Sequence, residues 1–260
     1  PPSDFPYTMR WRNRLIWMLS QFTKKPGIES ANHLIAISEF TAKEINKYLD
    51  INSKNITIAH NGINHDNYYP ENPTTSRRKL NIKKNEFVIV SVGPPSLRKN
   101  YNIIAKSLKD LSLSSKNITW IHVGKINKDA KKIIDKCLTV KLIQKTGLTE
   151  TEMRHLYCSA SIFISASLYE GFGLPPVEAL ACGATIIASD IPAHKEVLSN
   201  MALYFDPNDH KTLTRIIKDT FNSPAIKNNT QENINKFTER NDWEKTASTI
   251  DTIFLELNTR

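Results

Sequence analysis

"IFISASLYEGFGLPPVEALACGATIIASD", residues 162–190, reads as one strand–loop–helix–strand unit. Residues 162–166 are a short, bounded apolar run, as a buried strand is. Gly171 and Gly173 then let the backbone approach a ligand closely. Pro175 or Pro176 suits the first turn of a helix, and Gly183 is placed to end it just past the last helical residue. The spacing predicts a helix over 176–182 and a following strand over 185–190. Glu170 and Glu178 stand on either side of the glycines and prolines. They could be a catalytic pair, a ligand clamp, or parts of an exposed loop feeding an ordinary helix.

The same alternation runs outward in both directions. Strands are expected at 33–38, 56–59, 87–93, 118–124, 140–144 and 203–205. Helices are expected at 39–50, 102–111, 128–138, 149–160, 208–222, 224–237 and 242–258. "HNG" (60–62) reads as a structural turn, and 70–85 as a polar loop with one short helix. In the last helix Trp243, Ala247, Ile250, Phe254 and Leu257 make one apolar stripe. Buried strands alternating with helices mean an α/β fold: a Rossmann-like parallel sheet with helices on both faces. Residues 7–25 read as a separate basic amphipathic helix, with Trp11, Leu15, Met18 and Phe22 expected on one face. The expected organisation is 1–30 for this helix and its linker, 31–240 for the Rossmann-like domain, and 241–260 for a C-terminal helix.

Composition bounds the function. The chain has 260 residues, 40% apolar and 23% charged, enough for a large core without staples. No apolar run is long enough to span a membrane, and no signal peptide opens the chain. Three cysteines, Cys137, Cys158 and Cys182, fall inside predicted elements, which suits reduced thiols in a cytoplasmic setting. No Cys/His spacing fits a zinc site. A net charge of +9 attracts anions: nucleotides, nucleic acid or an acidic membrane surface. Nucleic acid is disfavoured because no recognition motif accompanies the charge. The chain does not start with Met, so it reads as a fragment or trimmed chain.

In an open α/β sheet, ligands bind beyond the carboxyl ends of the strands. That rule gathers Gly93, Arg98 and Lys99 after strand 87–93, Gly124 and Lys125 after the next, Gly147 after 140–144, and the quoted loop after 162–166. Glycines and cations at one sheet edge suit a phosphate or pyrophosphate. The helix N-terminus adds its own attraction for anions. Glu178, expected in that helix's first turn, can accept hydrogen bonds from a ribose. Glu170, before the loop, lies nearer whatever the pyrophosphate carries. A hydrolytic carboxylate pair would stand about 5–9.5 Å apart, and the sequence spacing neither supports nor excludes it.

Several segments resemble retaining glycosyltransferases of family four, which have the GT-B fold. "SLYEGFGLPPVEALACGATIIASDIPAHKEVLSNMALYFDPND" (167–209) is similar to the family signature, and "VSVGPPSLRKN" to its phosphate-binding segment. "LIAISEFTAKEI", "ITIAHNGIN", "TGLTETEMRHLY" and "FTERNDWEKTA" follow in family order. The resemblance implies that Arg98 and Lys99 neutralise a donor pyrophosphate and that Glu170 contacts the donor sugar. It also implies that Glu178 holds the ribose and that Gly171, Phe172, Gly173 and Leu174 offer backbone N–H groups. The implied reaction is transfer of a hexose, mannose among the candidates, with retention and without cofactor or metal. The implied donor is GDP-mannose or a UDP-sugar. The implied acceptor is a saccharide or lipid-linked glycan in polysaccharide or lipopolysaccharide synthesis. Family members also carry an N-terminal acceptor-binding domain, expected to be missing here, so activity of this chain alone is in question. The basic N-terminal helix would pack on that domain or touch the inner membrane face. Two other functions stay open: a GT-B nucleotide-sugar epimerase, or a non-catalytic nucleotide-binding domain.

Overall fold

The computed structural model describes residues 27–28, 30–49, 51–111, 117–136, 140–223 and 231–259. The basic helix expected at 7–25 and Cys137 lie outside them. The chain separates into two compact units, 1–60 and 61–260, so residues 31–60, grouped with the sheet at sequence level, fall in the first.

In the first unit β1 (Leu34–Ala36) pairs in parallel with β2 (Ile56–Ile58), Leu34 opposite Ile56. Between them runs α1 (Glu39–Leu49), where Ser38 Oγ accepts a hydrogen bond from the Thr41 N–H at 3.0 Å, the side-chain cap that begins many helices. The expectation of one continuous sheet is corrected here, since these strands form a two-stranded sheet of their own. Each has three residues and buries little, so its β signal could not say which sheet would receive it.

The second unit carries six strands: β3 (Phe87–Val92), β4 (Ile118–Val123), β5 (Val140–Lys145), β6 (Ile162–Ser165), β7 (Ile186–Ser189) and β8 (Ala202–Phe205). Their spatial order is β5-β4-β3-β6-β7-β8, and every pairing is parallel. The helices are α2 (Pro73–Lys79), α3 (Tyr101–Lys109), α4 (Lys128–Ile134), α5 (Glu150–Ser159), α6 (Leu174–Ala181), α7 (Pro192–Leu198), α8 (His210–Asn222), α9 (Gln231–Arg240) and α10 (Trp243–Asn258).

Successive residues of a strand point to opposite faces, and two cores result. Val88 and Val90 of β3 join Leu156 and Tyr157 of α5 and Val177 and Leu180 of α6 on one face. Ile89, between them, joins Trp120, Ile164 and the α3 and α8 residues Ile104, Leu108, Leu213 and Ile217 on the other. Burial on both faces explains why the strands read as apolar runs rather than alternating ones. The chain steps outward from β3 to β4 to β5, then returns to lay β6 on the opposite side of β3. The order therefore reverses between β3 and β6, the point beyond whose strand carboxyl ends open α/β sheets bind ligands.

Four local readings need correction. The quoted helix begins at Leu174 with Gly173 as its N-cap, two residues before the expected start, because Pro175 is accommodated within its first turn. Residues 192–198 form α7, unmarked in the sequence reading because Ile191 before it supplies no side-chain cap. "HNG" makes no turn: Gly62 lies flat against the Trp243 backbone, where an added Cβ would meet the Trp243 nitrogen at 2.2 Å. The stripe on α10 is not buried as a unit, since Trp243 and Phe254 are 46% and 59% exposed and Ile253 and Thr246 are the buried positions. The end of α6 agrees with expectation. Gly183 takes φ +81°, its N–H bonds the Leu180 carbonyl, and the Ala184 N–H bonds that of Ala179. This paired pattern closes helices on a left-handed glycine.

Candidate functional site

At the end of β3 the backbone turns at Gly93, with φ +141°. An added Cβ there would stand 2.8 Å from the Tyr101 hydroxyl and 3.0 Å from Lys99 Cε. Only glycine suits both that torsion and that approach. A short 3-10 turn, Leu97–Lys99, follows, with the Ser96 hydroxyl accepting from the Arg98 N–H at 3.2 Å. Asn100 leaves the turn in the left-handed conformation, φ 52°, and its amide donates to the Pro207 carbonyl at 2.8 Å before α3 begins. Arg98 and Lys99 are thus presented on a fixed turn.

The loop after β6 meets that turn. The Leu168 N–H donates to the Arg98 carbonyl at 2.8 Å, and Arg98 Nη1 donates to the Tyr169 carbonyl at 2.5 Å. Glu170 then receives three partners. Lys99 Nζ lies 2.7 Å from Oε1, Ser167 Oγ donates to the same oxygen at 2.7 Å, and Arg98 Nη1 lies 2.5 Å from Oε2. Burial alone would raise the Glu170 carboxyl. The Lys99 ammonium, the Lys99 and Ser167 hydrogen bonds and the Arg98 guanidinium outweigh it and hold the group below the ordinary value. The side chains of Lys99 and Glu170 are nearly enclosed, whereas Arg98 is 34% exposed and opens the cluster to solvent.

Beyond Glu170 the chain makes a glycine loop. Phe172 plugs the core at 3% exposure, and Leu174 packs beside it. Gly173 has φ +94° and caps α6. Pro175 and Pro176 carry no N–H, so the backbone N–H groups leading into the helix belong to Gly171, Phe172, Gly173 and Leu174. The structure therefore brings Arg98, Lys99, Glu170, Gly93 and the 171–174 loop to one edge of the sheet. Two other expected residues have surroundings of their own. Glu178, in the second turn of α6 rather than the first, accepts a hydrogen bond from the buried Tyr157 hydroxyl at 2.8 Å. Burial raises its carboxyl, against that hydrogen bond and with the nearby Glu150 charge. Gly147 follows the edge strand β5, with φ +69° and open space where a Cβ would stand. At about 4.8 Å per strand, β5 stands roughly 10 Å from β3.

The sequence reading missed the floor of the site. His194, on α7, is fully buried beneath the glycine loop. Its Nε2 is 3.1 Å from Ser165 Oγ, and its Nδ1 is 3.0 Å from the Ser189 carbonyl and 3.1 Å from Ser189 Oγ. Ser189 Oγ donates to the Ser167 carbonyl at 2.5 Å. Burial pushes the imidazole below its ordinary value, and Lys99 adds to that. The Ser189 backbone and Glu170 pull it the other way. The one signal available was position, since His194 follows the carboxyl end of β7 by five residues.

A profile of the family described as glycosyl transferases group 1 matches residues 72–240, more than half of the chain. The O-antigen chain mannosyltransferase RfbU of Salmonella typhimurium is 28% identical over 201 residues, covering 76% of this chain and 53% of that protein. The chain thus spans about half the length of this curated relative. Among solved structures, sucrose-phosphate synthase from Thermosynechococcus elongatus superposes with a TM-score of 0.79 at 19% identity, covering 93% of this chain and 62% of that one. Anabaena HepE, solved with UDP and glucose, superposes with a TM-score of 0.73 at 19% identity, covering 87% and 64%. The six-stranded parallel sheet with flanking helices is the fold of GT-B glycosyltransferases. No described helix is long and apolar enough to cross a membrane.

Proposed function

The chain belongs to the glycosyl transferases group 1 family, and from that premise we propose that it is the donor-binding part of a retaining hexosyltransferase. The donor is a nucleoside-diphosphate sugar, GDP-mannose or a UDP-sugar. The acceptor is a saccharide or lipid-linked glycan of the polysaccharide or lipopolysaccharide type. The observation that carries this reading is the Arg98–Lys99–Glu170 cluster at the reversal between β3 and β6. RfbU, a mannosyltransferase by name, favours mannose among the hexoses.

Each residue then has a task. When the glycosidic bond breaks, the departing diphosphate gains negative charge. Lys99, fixed by Glu170, and Arg98, partly open to solvent, supply the positive charge that meets it. The backbone N–H groups of residues 171–174 and the dipole of α6 add to the field. Glu170 keeps its carboxylate ionised between the two cations, oriented by Ser167 for the hydroxyls of the donor sugar. Glu178 takes the ribose by turning from Tyr157, or through a hydroxyl added to the same hydrogen-bond pair. This chemistry draws on no metal. The acceptor comes from outside the described residues, through an N-terminal domain or a second chain, at the inner membrane face for a lipid-linked glycan.

Calorimetry tests the reading. The chain should bind GDP-mannose or a UDP-sugar with micromolar affinity. Absence of binding to GDP, UDP and both sugars overturns it.

A further inference from the structure

Under the loop that carries Glu170 lies a run of buried polar groups. His194 is fully buried, as is Ser189, with Ser167 at 1% exposure and Ser165 at 9%. The proton positions follow from the partners. A carbonyl can only accept, so the ring proton sits on Nδ1 and is directed at Ser189, with its carbonyl at 3.0 Å and its hydroxyl oxygen at 3.1 Å. With the ring neutral, Nε2 accepts from the Ser165 hydroxyl at 3.1 Å. The Ser189 proton is committed to the Ser167 carbonyl, and the Ser167 hydroxyl proton to Glu170 Oε1. The imidazole is therefore linked to the carboxylate through Ser189 and Ser167, whose backbone carbonyl takes the bond from Ser189 and whose hydroxyl gives the bond to Glu170. The ring also lies beside Gly173, with Cδ2 and Nε2 3.6 and 3.7 Å from where a Gly173 Cβ would stand.

We propose that His194 is a positioning residue of the donor site: an imidazole that lies beside Gly173 and, through Ser189 and Ser167, sets the orientation of the Glu170 carboxylate. Three features support it. A histidine wholly inside the protein and hydrogen-bonded on both ring nitrogens has one orientation available. Its partners come from the carboxyl ends of β6 and β7, so it couples two strands to one loop. It lies beside the loop at Gly173, where φ is +94° and only glycine sits without strain. Neutrality matters because a charged ring would add a third cation beside Lys99 and Arg98 and compete with them for Glu170.

This inference rests on the donor reading and refines it, since it assigns His194 to the sugar end rather than the diphosphate end. Arg98 and Lys99 reach their turn through Ser96 and Asn100, independently of His194. A diphosphate alone should therefore tolerate loss of the imidazole, whereas a diphosphate sugar should not.

The test measures dissociation constants of GDP, GDP-mannose, UDP and UDP-glucose on the whole chain, using the pair that binds the parent. His194→Phe keeps a ring and removes both hydrogen bonds. Ser189→Ala removes one oxygen and breaks the run with little change in volume. His194→Asn returns an N–H toward the Ser189 carbonyl. The Phe and Ala variants should weaken the diphosphate sugar by about tenfold and the diphosphate by less than about twofold, the scale of one hydrogen bond to a charged group. His194→Asn should recover to within about threefold of the parent. Equal weakening of both ligands in folded variants makes the ring mere packing and overturns the proposal, as does no weakening of either. If His194→Phe does not fold, Ser189→Ala decides by the same criteria. A parent chain that binds none of the four ligands overturns the donor reading and this inference with it. A parent that binds while the variants show no selective loss overturns the inference alone.

Discussion

Two carboxylates in this molecule are surrounded in nearly the same way, and only one is at a candidate site. Glu71 faces Arg154 Nη2 at 3.1 Å, His155 Nδ1 at 2.8 Å and Lys79 Nζ at 3.8 Å. Glu170 faces Lys99 and Arg98. For both, burial raises the carboxyl and neighbouring positive groups more than reverse it. The difference lies in what carries the partners. Those of Glu71 stand on helices α2 and α5, and Arg154 is further fixed over the Tyr69 ring, 4.3 Å from its centroid. Those of Glu170 stand on a capped turn at the carboxyl end of a strand, beside glycines, with Arg98 open to solvent. Clustered charge on helix faces staples elements together. The same cluster at a sheet's reversal point, where backbone can approach, can take a ligand.

Three measurements separate the clusters. The largest expected effect is on binding: Lys99→Ala should weaken a nucleoside diphosphate by about 100-fold in calorimetry, the loss of one nearly enclosed charged partner. Glu71→Ala should leave that affinity within about twofold. An equal loss in both would erase the distinction. Next is stability, in the reverse sense. Glu71→Ala leaves Arg154 and His155 without their anion and should lower unfolding free energy by about 2–3 kcal/mol in urea titrations. The Glu71→Ala loss should exceed that of Glu170→Gln, whose site stays partly hydrated at Arg98.

The smallest effect is in acid. Both carboxyls lie below the ordinary glutamate value of 4.5 in the folded chain. A depressed folded value means stability that is complete above 4.5 and lost as pH falls through the depressed values. The urea midpoint should therefore fall below about pH 4.5 and level off at the acid end. Glu71→Gln and Glu170→Gln should each flatten part of that slope. A slope unchanged in both variants would place the acid sensitivity in other groups.

How much of this the sequence disclosed depended on whether a signal was local. The sheet elements were legible because apolar runs such as 87–92 and 118–123 are bounded by glycine and polar residues, and sheet burial makes such runs conspicuous. Gly183 was legible because a helix closing on a left-handed residue almost names its amino acid. Arg98, Lys99 and Glu170 could be assigned to one sheet edge by rule, but their direct pairing could not, since 71 positions separate Lys99 from Glu170. Glu178 was misplaced by a shift of two residues in the helix start, enough to move it from the first turn to the second. His194 was silent because a buried imidazole is defined by what surrounds it: serines from two strands, one of them 29 positions away. The α10 stripe had the right period and the wrong burial, because periodicity gives a helix and not the partner of its face.

Gly62 carries a consequence of another kind. Its backbone lies against that of Trp243, and Ile63 forms a parallel bridge with Asp242, its N–H bonded to the Asn241 carbonyl at 2.9 Å. The first residues of the second unit are thus seated by some of its last. The entropic cost of closing a loop grows only slowly with its length, but contacts so distant in sequence are slow to form. During synthesis the β3–β8 sheet can assemble while this seam is still open. The seam would then act as a final latch, and an emerging chain would pass through a state with its sheet formed and its first strand-side segment unfastened.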